Sequence, residues 1–160
     1  MGRAFVFGDN IDTDVLAPGH LMKLSPRDLA AHCLEAIDPG FAAAVRPGDI
    51  VIAGSNFGLG SSREQAAISL KLLGVKAVLA PTFARIFFRN AINIGLPALA
   101  FDGVGKVETG DIVDVDPANG IFVNESRGER WRLTPLPPAL MAIIDAGGLM
   151  PMLKARFNRS

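Results

Sequence analysis

Between residues 49 and 101 the chain repeats one pattern twice: a short apolar run, a segment of helical period, and another apolar run. DIVIAG (49–54) reads as a buried strand from its β-branched run. REQAAISLKLLG (63–74) then places Ala66, Leu70 and Leu73 at helical spacing, with Gly74 as C-cap. VKAVLA (75–80) is a second strand, TFARIFFRNAINIG (82–95) a second helix capped by Thr82 and closed by Gly95, and LPALAF (96–101) a third strand. Two strand–helix–strand crossovers in series imply a parallel sheet, and a parallel sheet needs helices to cover it. An α/β fold with a mostly parallel core sheet follows.

The flanks add to this core. RAFVFG (3–8) is a strand, and GDNIDTDVLAPG (8–19) a polar, turn-rich loop carrying Asp9, Asp12 and Asp14. Ser25, Pro26 and Asp28 give an N-cap, a first-turn proline and an early acid, so LAAHCLEAI (29–37) is expected to complete a helix of about three turns. After Gly103 the texture changes to short alternating runs split by Pro117-Ala-Asn-Gly120 and Arg127-Gly128 turns, which reads as an antiparallel meander. The last segment, PPALMAIIDAGGLMPMLKARF (137–157), is helical and broken at Gly147-Gly148; KARFNRS at its end reads as a solvated basic tail. No internal repeat or linker interrupts the chain, so a single domain over 1–160 is expected.

Sixteen basic residues balance sixteen acidic ones, leaving no overall field to draw in nucleic acid or an anionic membrane surface. The one cysteine, Cys33, excludes an internal disulfide and any cluster held by several thiolates of this chain, which suits a reducing compartment. MGRAFVFGDN lacks the pattern of a secretory signal, and no apolar run reaches membrane-spanning length, so a cytoplasmic location is expected. The hydrophobic share is 49%, and part of that surplus is expected to face a partner.

The chemistry concentrates in GSNFGLGSSREQ (54–65), where the strand DIVIA gives way to a helix. A Walker phosphate loop needs a lysine that this stretch lacks, and a dinucleotide fingerprint starting at Gly58 would need glycine where Arg63 stands. A hydrolase elbow centred on Ser62 would need glycine where Glu64 stands. Two readings survive. In one, Gly58 and Gly60 let backbone approach a ligand, a helix start offers free N–H groups, and Arg63 offers a fork for a carboxylate. In the other, this is a glycine turn in which Ser61 or Ser62 caps the helix and Glu64 completes a capping box.

Three segments together, Gly8–Asp14 (GDNIDTD), Gly54–Ala66 (GSNFGLGSSREQA) and Pro81–Pro97 (PTFARIFFRNAINIGLP), resemble the small-subunit family of 3-isopropylmalate dehydratase, the swivelling domain of the aconitase superfamily. The resemblance runs from the first strand to the C-terminal helix. It implies a swivelling β/β/α domain with a β-rich C-terminal portion. It also implies a hydro-lyase subunit that removes water from a hydroxy-dicarboxylate and adds it back, as part of leucine biosynthesis. The family's [4Fe-4S] cluster is held by three cysteines, so the resemblance puts it on a separate large subunit, with no metal on this chain. Ser61, the first serine of G-S-S-R, carries over as the base; Ser62 and Arg63 as substrate ligands; Asp14 as the active-site aspartate; Asp12 less closely.

By the same resemblance the loop after that aspartate, Ala17–Leu24, governs substrate choice. Here it reads Gly19-His20-Leu21-Met22-Lys23 where many members carry a cluster such as Y-L-R. Leu21 and Met22 favour an apolar side group such as isopropyl, while His20 or Lys23 could pair with a third carboxylate as in homoaconitase. Packing against the first helix is the alternative for Leu21 and Met22. Arg85 and Asn90 read as structural, holding the serine loop or the sheet edge, and His32 as an ordinary helix position. The rival functions are a homoaconitase, citramalate or dimethylmalate hydro-lyase subunit, and a stand-alone carboxylate-binding module.

Overall fold

The computed structural model describes residues 1–158. Its strands are β1 (Gly2–Val6), β2 (Ile50–Ile52), β3 (Ala77–Ala80), β4 (Ala98–Ala100), β5 (Ile112–Asp116), β6 (Ile121–Asn124) and β7 (Glu129–Arg132), in one sheet of order β4-β3-β2-β1-β5-β6-β7. β1 to β4 are parallel, with Phe5 against Val51, Val51 against Val78 and Val78 against Ala98. β5 joins β1 antiparallel and continues into the β6–β7 meander. Both crossovers and the meander read from the sequence are present.

Strand alternation divides the interior in two. Val51 and Val78 point to one side of β2 and β3, where Phe41, Phe57, Leu16, Leu29, Leu70 and Phe87 meet them; Ile50, Ile52 and Leu79 point to the other, against Val113, Val115 and Phe122. Burial on both faces explains why β2 and β3 are continuous apolar runs. Each fully buried leucine or phenylalanine contributes about 1.5–3 kcal/mol.

The first layer is built by α1 (Thr13–Leu16), α2 (Pro26–Ala30), α3 (Phe41–Ala44), α4 (Gln65–Leu72) and α5 (Arg85–Asn93). α6 (Pro138–Asp145) and α7 (Leu149–Phe157) follow the meander, and Leu140, Met141, Ile143 and Ile144 of α6 pack on the second core. The predicted break at Gly147-Gly148 separates α6 from α7, which cross at 83°. Among the described residues no single helix is long and apolar enough to cross a membrane.

Local expectations needed correction in four places. The early acidic loop contains a turn of helix, α1, because the Asp12 carboxylate accepts the Val15 N–H and caps it. Ser25 caps α2 as expected, but the helix stops at Ala30 instead of running about three turns. Leu34 takes a left-handed φ of 62°, sends its N–H to the Val15 carbonyl at 3.0 Å and buries its side chain completely, so tertiary contacts overrule helical propensity there. Thr82 does not cap α5; its hydroxyl accepts the Asn56 N–H. Lys154–Phe157 of the supposed tail form the last turn of α7, while Arg159 and Ser160 lie outside the described residues.

Candidate active site

Parallel strands deliver their connections to a common edge, and here the loops leaving β1, β2 and β3 are knitted together by backbone bonds. Gly54 N–H donates to the Gly8 carbonyl, Asn10 N–H to Ser55, Gly58 N–H to Ile11 and Thr13 N–H to Leu59, all between 2.7 and 3.0 Å. On the other side Phe57 N–H donates to Thr82 and Ala84 N–H to Phe57. Asp9 accepts the Ser55 N–H, so Asp9 and Asp12 both serve the loops' architecture.

Within this weave the glycines have a reason of their own. Gly58 and Gly60 have φ of 82° and 111°, and a Cβ at Gly58 would overlap the Phe87 ring, while one at Gly60 would lie 3.0 Å from Thr13 Oγ1. Both line a cleft, yet the room they leave is taken by Phe87 and Thr13 of this chain, which corrects the reading of that room as clearance for a ligand.

Ser61 is exposed, and its Oγ lies 3.2 Å from Thr13 Oγ1, which also accepts the Ser61 N–H at 3.2 Å. Thr13 itself is buried. With one of its lone pairs held by that N–H, the Thr13 hydroxyl can turn its proton onto Ser61 Oγ. α4 begins only at Gln65 with Glu64 at its N-cap and no side-chain cap, so the capping-box reading fails and the helix start is displaced from Ser61. The side-chain hydroxyl next to Ser61 is therefore that of a buried threonine. It was hidden in the sequence between two aspartates, and its only signal was a small hydroxyl inside IDTD.

Arg63 Nη1 donates to Asp14 Oδ1 and to the Ala17 carbonyl, each at 3.0 Å, leaving Nη2 and Nε for other acceptors. Asp14 also accepts the Gly19 N–H at 2.8 Å. That backbone bond and the Arg63 guanidinium, with a smaller contribution from His20, hold the Asp14 carboxyl below the ordinary carboxylate range. Ser61 with Thr13 and Arg63 with Asp14 thus form two side-chain pairs across one seam between the β1 and β2 loops. Asn90 Nδ2 reaches the Ser62 carbonyl at 3.4 Å, so it steadies the serine loop as expected.

The loop Gly19–Lys23 lies apart from the cleft beside Ser61. His20 and Lys23 are exposed, and Leu21 and Met22 are half-buried against the first core. None of these four lines the cleft of about 480 Å³ beside Ser61, whose walls are Gly58, Gly60, Ser61, Ala84, Arg85, Ile86 and Arg89. The packing alternative describes Leu21 and Met22. Arg85, expected to brace the serine loop or a sheet edge, does neither: it is exposed at the start of α5 and faces the cleft. His32 pairs with Glu35 at 2.7 Å, away from the cleft lining.

Comparisons with known proteins bear on what this seam does. Residues 35–103 match the family model described as the aconitase C-terminal domain. The chain is 47% identical, over all of both chains, to the Archaeoglobus fulgidus protein named 3-isopropylmalate dehydratase small subunit 1. It is 49% identical to the 3-isopropylmalate dehydratase small subunit of Methanosarcina mazei, over 93% of each chain. Among solved structures it is similar to the 3-isopropylmalate dehydratase (leuD) of Methanocaldococcus jannaschii, with a TM-score of 0.91 and 43% identity over 97% of this chain and 93% of that one.

Proposed function

The chain belongs to the 3-isopropylmalate dehydratase small-subunit family of aconitase-type hydro-lyases, and on that footing we propose that Ser61 is its base in a site completed by a large subunit. The enzyme is a hydro-lyase, and its reaction is the isomerisation of isopropylmalate by dehydration and rehydration, a step of leucine biosynthesis. The observation that carries the assignment of Ser61 is its exposed hydroxyl, bonded to a buried hydroxyl at the mouth of the cleft.

Dehydration takes a proton from one carbon, next to a carboxylate, and hydroxide from its neighbour; adding water back with the positions exchanged moves the hydroxyl. A serine hydroxyl holds its proton tightly, so Ser61 acts as a base only if its oxyanion is stabilised in place. The Thr13 hydroxyl, which accepts the Ser61 N–H and is buried, is placed to donate its proton to that oxygen. Arg63, oriented by Asp14 and the Ala17 carbonyl, offers its remaining N–H groups to a substrate carboxylate. Ser62, exposed beside it, adds a hydroxyl to the same carboxylate.

This chain's donor set does not fit an iron–sulfur cluster. Its one cysteine, Cys33, is buried in the first core, where burial pushes the thiol up and away from the thiolate that iron requires. Among the described residues no group of three histidine, cysteine or acidic side chains could hold a metal ion. On the family resemblance we place the [4Fe-4S] cluster on the large subunit, in a heterodimer or higher assembly, and propose a cytoplasmic location. The exposure of Ser61, Ser62 and the cleft arginines on one edge supports this reading, since those groups need a cover.

Anaerobic reconstitution with the large subunit, followed by a panel of isopropylmalate, citramalate, homocitrate and dimethylmalate, tests it. Turnover of isopropylmalate, with none from the isolated chain, is expected. Preference for homocitrate would move the chain to the homoaconitase type, and tight binding of an organic acid without any partner would favour a stand-alone module.

A further inference from the structure

α5 has two faces of opposite character. Phe87 and Ala91 are buried on one side, while Arg85, Ile86, Arg89 and Asn93 fall within an arc of about 100° on the other. Both arginines are exposed, and among the described residues neither is in an ion pair. Residues 82–95 hold no acidic side chain that could supply one. Standing four apart, the two guanidiniums leave the helix in the same direction, and Ile86, 46% exposed, stands beside them. Two hollows flank this ridge. One is the cleft of about 480 Å³ that reaches Ser61; the other, of about 260 Å³, lies between α5 and α6 and is walled by Phe88, Ile92 and Leu140. A solvated helix face is usually laced with charges of both signs. This one carries a single sign, next to an apolar hollow.

We propose that the α5 ridge is a docking surface for the large subunit, and that the segment it receives is acidic. Two carboxylates of that segment take Arg85 and Arg89, and an aliphatic side chain enters the hollow between α5 and α6. This rests on the reading above that a large subunit completes the site. The ridge is continuous with the edge that bears Ser61, so a partner covering that edge meets α5 with the same surface. Arginine forks matched to carboxylates around an apolar anchor supply both the pull toward an oppositely charged partner and much of an interface's binding energy.

The test measures association of this chain with the large subunit used for reconstitution, by titration calorimetry, for the parent, the Arg85→Gln/Arg89→Gln variant and the Arg85→Glu/Arg89→Glu variant. Kd is expected to rise about tenfold for the glutamine pair and about a hundredfold or more for the charge reversal. Association of the parent is expected to weaken as salt rises, and that of the glutamine pair to weaken less. Turnover should fall at limiting large subunit and return at saturation, with kcat and KM within about twofold of the parent. The thermal melting of the isolated chain should be the same for the parent and the glutamine pair. An unchanged Kd and salt dependence overturn the docking surface. So does a raised KM with Kd unaltered, which places the arginines at the substrate instead. Kd is read whether or not the complex is active, so a parent complex that forms but leaves isopropylmalate untouched sinks the hydro-lyase reading alone. A parent chain that does not associate at all overturns the docking surface and the large-subunit partner together.

Discussion

The two halves of the sheet are built from similar strands and do different work. In the parallel half, β1, β2 and β3 point the same way, so their outgoing loops meet at one edge and place Thr13, Ser61, Arg63 and Arg85 within one seam. In the antiparallel half, β5, β6 and β7 reverse at each turn, so their connections are shared between both ends. Its polar groups tie the connections together: Arg127, between β6 and β7, pairs with Asp111 at 2.9 Å and with Glu108 at 3.2 Å ahead of β5, and Asn124 at the end of β6 also donates to Asp111. Strand direction alone thus separates a half that gathers chemistry from a half that braces the fold.

If this division is right, changes at the seam alter turnover and leave stability alone, and changes in the meander do the reverse. Ser61→Ala is the largest case: turnover of the reconstituted complex should fall by about 10²- to 10⁴-fold, with the melting temperature of the chain unchanged. Gly58→Ala should break the pattern from inside the seam. A side chain there is strained at a φ of 82° and collides with Phe87, so a loss on the order of 3 kcal/mol is expected in denaturant unfolding, with turnover falling as a consequence. Thr13→Val keeps the buried shape and removes the donor. It should lower kcat about ten- to a hundredfold while KM stays within about twofold.

The smallest effect belongs to the meander. Hydrogen bonds from Arg127 and from the Glu108 N–H bring Asp111 down to about 2 from an ordinary 3.8. A carboxylate depressed in the folded state adds stability above its unfolded value, and that stability is lost as pH falls through the folded value, here between about pH 4 and 2. Arg127→Ala should therefore move acid unfolding, followed by circular dichroism, to higher pH within that window. Turnover at neutral pH should not change; a fall in turnover would contradict the division of labour.

Much of the parallel half was legible because its signals are periodic. Buried β-branched runs and helical spacing identify β2, α4, β3, α5 and β4 without reference to anything distant. What escaped depended on contacts between segments far apart in the chain. The end of α2 is decided by Leu34 bonding to Val15, and the Thr82 hydroxyl is spent on Asn56 instead of its own helix. In the site, Ser61, Arg63 and Asp14 are named by the family resemblance, but not Thr13, whose place beside Ser61 comes from the pairing of the β1 and β2 loops across 48 residues. Contacts of the same long range, Gly60 with Thr13 and Gly58 with Phe87 of α5, show that these glycines make room for protein, which spacing alone could not decide.

As the proposed base, Ser61 takes the substrate's carbon-bound proton. The most direct measurement of this transfer is exchange of that hydrogen with deuterated solvent, followed by NMR in the complex reconstituted with the large subunit, for the parent chain and Ser61→Ala. The variant is expected to assemble and to bind isopropylmalate but to lose the exchange that the parent shows. Exchange at the parent rate in Ser61→Ala would contradict it and place the base on the large subunit.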